Sequence, residues 1–397
     1  MKYIRGYIIA AALAALTWGL TEFAKAHTAL VDMVYPYASR LIQDTLADWS
    51  AGISVCLWQA AAILLVVLLL ASIIGMIIFK WNFFQWMGWV LSGVCLLWCL
   101  HTGIYGLNQY SSDLSQDIRL NTTVPGDSLT PLINAATYFR DKANELSGQM
   151  ERDENGNLKS AGFAHVAEQA GDGFHRLVYE KHLAVFGGVT TPVKELGWAD
   201  MYTSMGISGV TMPITGEAAV NPNIPTVSLP FTICHEMAHR MCIAPERDAN
   251  LAAFLASTAN EDLLYQYSGY FMAFRYCYSS LASVSTSTAS NAVRRLYDGM
   301  TENMRRDMQG YDLYCTQSID RDASKFANSV NNAYIQASGD PSGVRSYGEV
   351  TDLLLCWYWQ EVYLPEHAGD IEEDEDAFDP FDKDYIFGEG LEPGATP

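Results

Sequence analysis

Charge is scarce at the start of this 397-residue chain: residues 1–105 hold five Lys or Arg and four Asp or Glu, against 19 basic and 41 acidic residues in the rest. Basic blocks are missing altogether. With a net charge of -21 and no clustered Lys and Arg, nothing offers phosphates a binding face, so nucleic acid is excluded as a partner. Internal repeats are absent, and no two cysteines stand as CxxC. Three of the eight cysteines fall in apolar runs (Cys56, Cys95, Cys99), leaving Cys234, Cys242, Cys277, Cys315 and Cys356, an odd number that cannot all pair within one chain.

This charge-poor region contains three apolar runs. Gly6 to Phe23 follows Lys2 and Arg5, Ile53 to Phe79 carries no charge, and Phe83 to Tyr105 carries only His101. Each approaches or exceeds the ~20 residues that cross a hydrocarbon core. Seven of the ten Trp lie here, several near the ends of the runs, as an interfacial belt places them. Three transmembrane helices are expected, at about 6–24, 53–79 and 83–105, forming an anchor over 1–105. The first also resembles a cleavable signal peptide, with "AKA" at Ala24 to Ala26. With Lys2 and Arg5 inside, everything after about Gly106 is extracytoplasmic, so a multi-pass protein of the bacterial cell membrane, in contact with the bilayer, is expected.

Beyond the anchor the pattern is mainly helical, giving a domain over 106–365. Asp127 and Ser128 are placed to cap "LTPLINAATYFRDKANELS", "DENGN" reads as a turn, and a second helix is expected at about Ala161 to His182. Gly206 to Leu229 changes to Gly, Pro, Thr and Val with short alternations, the pattern of a small β element, and "TVSL" reads as a strand closed by Pro230. Residues 366–397 carry 12 acids against Lys383 and are expected to be a disordered acidic tail.

Chemistry concentrates in "LPFTICHEMAHRMCIAPERDANLAAFLAS". On a helix His235 and His239 stand one turn apart on one face and can direct both imidazoles at one ion, while Glu236 can take a proton from water on that ion. Two buried imidazoles and a carboxylate without a metal would be costly to keep from water. A catalytic zinc needs a third protein ligand. Ala244-Pro245 should break the helix, and in the next one Asp248, Ala252 and Leu255 share one face while Glu246, Asn250 and Ala253 share another. Asp248 leads into small apolar residues and is the first candidate, Glu246 the second and Glu261 the third. Cys242 reads as a small buried residue before it reads as a thiolate ligand.

The block from "GVTMPITGEAAVNPNIPTVSL" through this motif, with "YQYSGYFMAFRY" and "NNAYIQASGDPSGVRSYGEVTDLLL", resembles an uncharacterised family of bacterial three-span membrane proteins with a zincin-like extracytoplasmic domain. The "acid-Ala-Asn" step is similar to the downstream glutamate motif of gluzincin-type HExxH peptidases. The resemblance implies Zn²⁺ held by His235, His239 and the acid at Asp248, with Glu236 as catalytic base. The family pattern has Glu where this chain has Asp248; aspartate is one methylene shorter, so the second helix must approach more closely or Glu246 must serve instead.

A membrane-anchored zinc metallopeptidase acting on peptide or protein substrates outside the cytoplasm is therefore expected. Tyr267, Tyr270, Tyr347 and Arg275 are candidates for oxyanion or substrate contact. "GVTMPITGE" is placed to run along the cleft and pair with an extended substrate, with Glu217 at its end read as starting a turn. Two other readings are a catalytically inactive domain that keeps zinc for structure or binds a peptide or envelope component, and hydrolysis of a non-peptide envelope amide.

Overall fold

The computed structural model describes residues 4–123, 129–338 and 346–367. The acidic segment from 368 onward and the expected cap at Asp127 and Ser128 lie outside them. The described chain is mainly helical, with one three-stranded sheet.

Three N-terminal helices, α1 (Arg5–Ala26), α3 (Leu57–Ile78) and α4 (Phe83–Ile104), are long and apolar enough to span a membrane, consistent with membrane association. The α1 and α4 helices run side by side in the same direction. Gly6 makes this contact possible, since a Cβ there would lie 2.4 Å from the Gly88 carbonyl carbon, and small residues are what let apolar helices approach so closely. Between the first two spans lies α2 (Thr28–Ala51), a 24-residue helix that the sequence pattern did not suggest.

After a short α5 (Leu114–Asp117), the helices α6 (Leu129–Ser147) and α7 (Phe163–Tyr179) begin a helical core. Strand β1 (Lys194–Glu195), helix α8 (Ala199–Met205) and strands β2 (Gly209–Met212) and β3 (Glu217–Val220) follow. The sheet order is β1-β3-β2, β3 pairing parallel with β1 and antiparallel with β2, so β2 is an edge strand. The "TVSL" expected as a strand is a turn that runs into α9 (Leu229–Arg240). Pro230 has no N–H to lose in the first turn of a helix, and therefore opens α9 where the sequence reading had it closing a strand. The remaining helices are α10 (Glu246–Ala259), α11 (Leu263–Ser283), α12 (Ser287–Asp298), α13 (Glu302–Leu313), α14 (Arg321–Ser338) and α15 (Ser346–Tyr358).

The α10 helix is the centre of the domain. Its run from Ala249 to Ala256 is buried throughout, and α6, α7, α9, α11 and α15 build one continuous apolar core with it, including Phe139, Phe174, Phe254 and Phe274. All eight cysteines are unpaired.

The end of α4 and the start of α3 meet α2 and the domain. The Tyr35 hydroxyl of α2 donates to the Thr102 carbonyl near the end of α4, and His101 of α4 is 2.9 Å from the Tyr334 hydroxyl of α14. At the start of α3, the N–H groups of Leu57 and Trp58 donate to the two carboxylate oxygens of Glu217 at 2.8 and 2.9 Å, and Lys194 pairs with the same carboxylate at 2.6 Å. Glu217 thus opens β3 and caps a membrane helix where a turn was expected; a carboxylate at a helix N-terminus satisfies unpaired donors and opposes the positive end of the dipole. Burial alone would raise its pKa, but Lys194 and the two N–H groups outweigh burial and hold it below the ordinary value.

Removing this carboxylate would leave two helix donors without their acceptor and Lys194 with only the Val55 carbonyl. We expect Glu217→Ala to cost about 3–5 kcal/mol, read as a lower thermal midpoint of the full-length protein in detergent. In the wild type that stability is complete above the ordinary carboxylate pKa and lost only as pH falls through the depressed one; a loss below about 1 kcal/mol would contradict the role.

Candidate metal centre

The α9 helix sits with Ile233, Cys234, Met237 and Ala238 wholly buried in the core. That orientation turns His235 and His239 toward a cleft of about 690 Å³. The imidazole rings stand edge to face, 4.6 Å between centroids. Both Nε2 atoms aim at one oxygen: Oε2 of Glu246 is 3.3 Å from His235 and 3.6 Å from His239. Among the described residues, these three are the one group of His, Cys, Asp or Glu close enough to hold a metal, their ligand atoms all within 4.8 Å of one another.

Local backbone geometry orients the set. The α9 helix ends at Arg240, and Cys242 turns the chain with φ +70°, a left-handed conformation that a residue with a Cβ rarely takes. The turn swings the Ile243 carbonyl back to 2.9 Å from His239 Nδ1, so the tautomer with the proton on Nδ1 leaves Nε2 free as a lone-pair donor. Glu246 then enters as the first residue of α10.

The electrostatics are those of a site built around a cation. Burial would raise the Glu246 carboxyl, but two imidazoles in hydrogen-bond reach pull it far below the usual carboxylate range. Burial would lower His239; the hydrogen bond and charge of Glu246 reverse that and raise it to about 9. A proton shared with the imidazoles would offset the charge of the Glu246 carboxylate in the way that a bound cation would. His235 Nδ1 is buried without a hydrogen-bond partner, and a ligand set of two imidazoles and one carboxylate matches the donors that zinc takes.

Glu236 lines the same cleft beneath β2. It is only 5% exposed, and burial raises its pKa despite the two nearby imidazoles. The Thr211 hydroxyl lies 2.7 Å from the Glu236 carboxylate and 2.9 Å from its backbone carbonyl. Gly209 leaves the space: a Cβ there would stand 2.4 Å from Glu236 Oε1. "GVTM" thus lies along the cleft, with the edge of β2 away from β3 open to it.

The structure separates the acid candidates. Asp248 is buried on the far side of α10, accepting the Leu114 N–H at 2.9 Å beside Arg247, and is not part of the histidine group. Glu261 is on the surface, 3.5 Å from Arg176, and the Cys242 thiol donates to Ser39. Asp248 leads into small apolar residues, as its helical spacing indicates. That face of α10 meets the core, however, while Glu246 and Asn250 share the face that lines the cleft.

The expected tyrosines are likewise elsewhere. Tyr267 donates to Asp307, itself paired with Arg152, and Tyr270 packs on Tyr138 and Phe254. Arg275 pairs with Asp312 and stacks on Tyr311. The Tyr347 side chain lies outside the described residues. Tyr276 does reach the cleft, half-buried, its hydroxyl donating to Asn250 at 3.0 Å, and Asn250 in turn donates to the Glu246 carbonyl. No spacing in "FRYCYSS" distinguishes Tyr276 from its neighbours; only the packing of α11 on α9 selects it.

Burial raises the Asp248 carboxyl to about 6, against the Leu114 N–H and Arg247, which lower it. A raised carboxyl favours the neutral form on folding, so ionisation above about pH 6 costs stability and acid relieves it. We expect Asp248→Asn to raise the thermal midpoint at pH 8 by an amount equivalent to roughly 1–3 kcal/mol, a gain that shrinks as pH falls towards 4; a pH-independent loss would contradict this placement.

The model of a family described as "Protein of unknown function (DUF3810)" matches residues 31–355. No curated protein and no solved structure matches the chain.

Proposed function

We propose that this chain, which belongs to the DUF3810 family, is a membrane-anchored zinc-dependent peptidase whose zincin-like domain faces the extracytoplasmic side. The observation that carries the reading is the convergence of His235 Nε2, His239 Nε2 and Glu246 on one point beside a buried Glu236, at the floor of an open cleft. His235, His239 and Glu246 are the residues that would hold the metal. Bound there, zinc would polarise a carbonyl and lower the pKa of a water.

The protein's own groups account for the rest of a hydrolysis. Glu236, its pKa raised by burial, is suited to take a proton from the attacking water as the new C–O bond forms. It then delivers that proton to the amine nitrogen as the C–N bond breaks. Thr211 holds the carboxylate in place, and the half-buried Tyr276 hydroxyl would become the cleft donor for a developing oxyanion by turning its proton away from Asn250. The free edge of β2 offers backbone N–H and C=O groups to an extended peptide, which favours a polypeptide over other amides. A site serving structure alone would have no need of a base and would close its fourth position. The orientation follows from Lys2 and Arg5 preceding the first span.

Two variants test the assignment of the base without touching the three ligands. Glu236→Gln should retain zinc by elemental analysis and lose turnover of a mixed peptide library. Gly209→Ala, whose new methyl group would collide with the Glu236 carboxylate, should keep zinc and lower turnover by about 100-fold. Wild-type turnover in Glu236→Gln would refute the role of base.

A further inference from the structure

The α2 helix has its polarity reversed relative to a helix on a soluble domain. The face turned to the domain is polar: Arg40 donates to the Met241 and Gly187 carbonyls, Gln43 to the Pro213 carbonyl, and Asp44 accepts from the Val189 N–H. Leu30, Met33, Val34, Tyr37 and Leu41, at helical spacing on the other side, are exposed, Leu41 at 68%. Trp49 continues that exposure toward the end of the helix. A helix that gives its polar groups to the protein and its apolar ones to the outside does not face water. The α2 helix also joins the end of one membrane span directly to the start of the next, which fixes it at the membrane surface.

A second apolar stripe lies beside the cleft. Phe326, Val330 and Tyr334, each one turn apart on α14, all line the cleft, and Phe326 is 66% exposed. Tyr334 touches α4 at His101 and, edge to face at 6.4 Å, at Trp98. At 1.5 Å per residue Trp98 lies about 9 Å inside the end of that span. The cleft wall itself includes His101 and Tyr105, so a membrane helix forms one side of it.

We propose that the apolar faces of α2 and α14 seat the domain in the bilayer interface, so that the cleft opens there and takes a membrane-anchored polypeptide whose apolar segment passes over α14. The edge of β2 in the same cleft is what selects a polypeptide rather than a lipid. The substrate class rests on the peptidase reading; the seating does not.

The test uses full-length Glu236→Gln protein in lipid nanodiscs, with photoreactive p-benzoylphenylalanine replacing Leu41, Phe326 or, as a control in the polar turn, Glu154. Light should attach phospholipid at Leu41 and Phe326 and not at Glu154. The Phe326 probe should also capture a reporter, a leucine-alanine membrane helix carrying a mixed-sequence flank, at least tenfold over the same flank as a free peptide. Val330→Asp, an exposed change, should abolish that preference. Absence of lipid adducts at Leu41 and Phe326, equal capture of the two flanks, or indifference to Val330→Asp would overturn the proposal. Should adducts and capture persist while wild-type protein with zinc cleaves neither flank, the peptidase reading fails and the interfacial seating stands.

Discussion

Two imidazoles and a carboxylate converging on one point at the floor of a cleft is the constraint around which this domain is arranged. Glu246 cannot be buried as an anion without cationic company, and it lies between two rings whose Nε2 atoms have no better partner. The remaining geometry serves that convergence. The apolar face of α9 fixes the histidines, the left-handed Cys242 lets the chain fold back to orient His239, and the wholly buried α10 returns Glu246 at its first residue. Gly209 and Thr211 then hold Glu236 beside the group without letting it join.

The membrane helices are part of the same construction. Glu217 ties the first turn of α3 to the sheet whose free edge lines the cleft. The α2 helix bonds to the Met241 carbonyl directly after the histidine helix, and α4 supplies a wall of the cleft. Each contact joins a span, or the helix between two spans, to the cleft or to the sheet beside it.

Those parts of the chain governed by local rules could be read directly from it. Charge-poor apolar runs of about 20 residues marked three spans, and the helical spacing of His235 and His239 placed both rings on one face of α9. Pro245 marked the break before α10. What escaped depended on tertiary surroundings. The α2 helix escaped because its apolar stripe is interrupted by the polar residues it gives to the domain. Asp248 and Glu246 lie on different faces of one helix, and choosing between them required knowing that the cleft lies opposite the core. Glu217 is a strand residue whose partners stand 160 positions away in sequence, and Tyr276 is one of several tyrosines on its helix until α11 is packed.

The central claim is that His235, His239 and Glu246 form one metal site. Zinc titration of chelator-stripped full-length protein tests it most directly. One zinc per chain should bind with release of protons, and its affinity should fall by at least about 100-fold in Glu246→Gln but be unchanged in Asp248→Asn. Wild-type affinity in Glu246→Gln, or loss of zinc in Asp248→Asn alone, would contradict it.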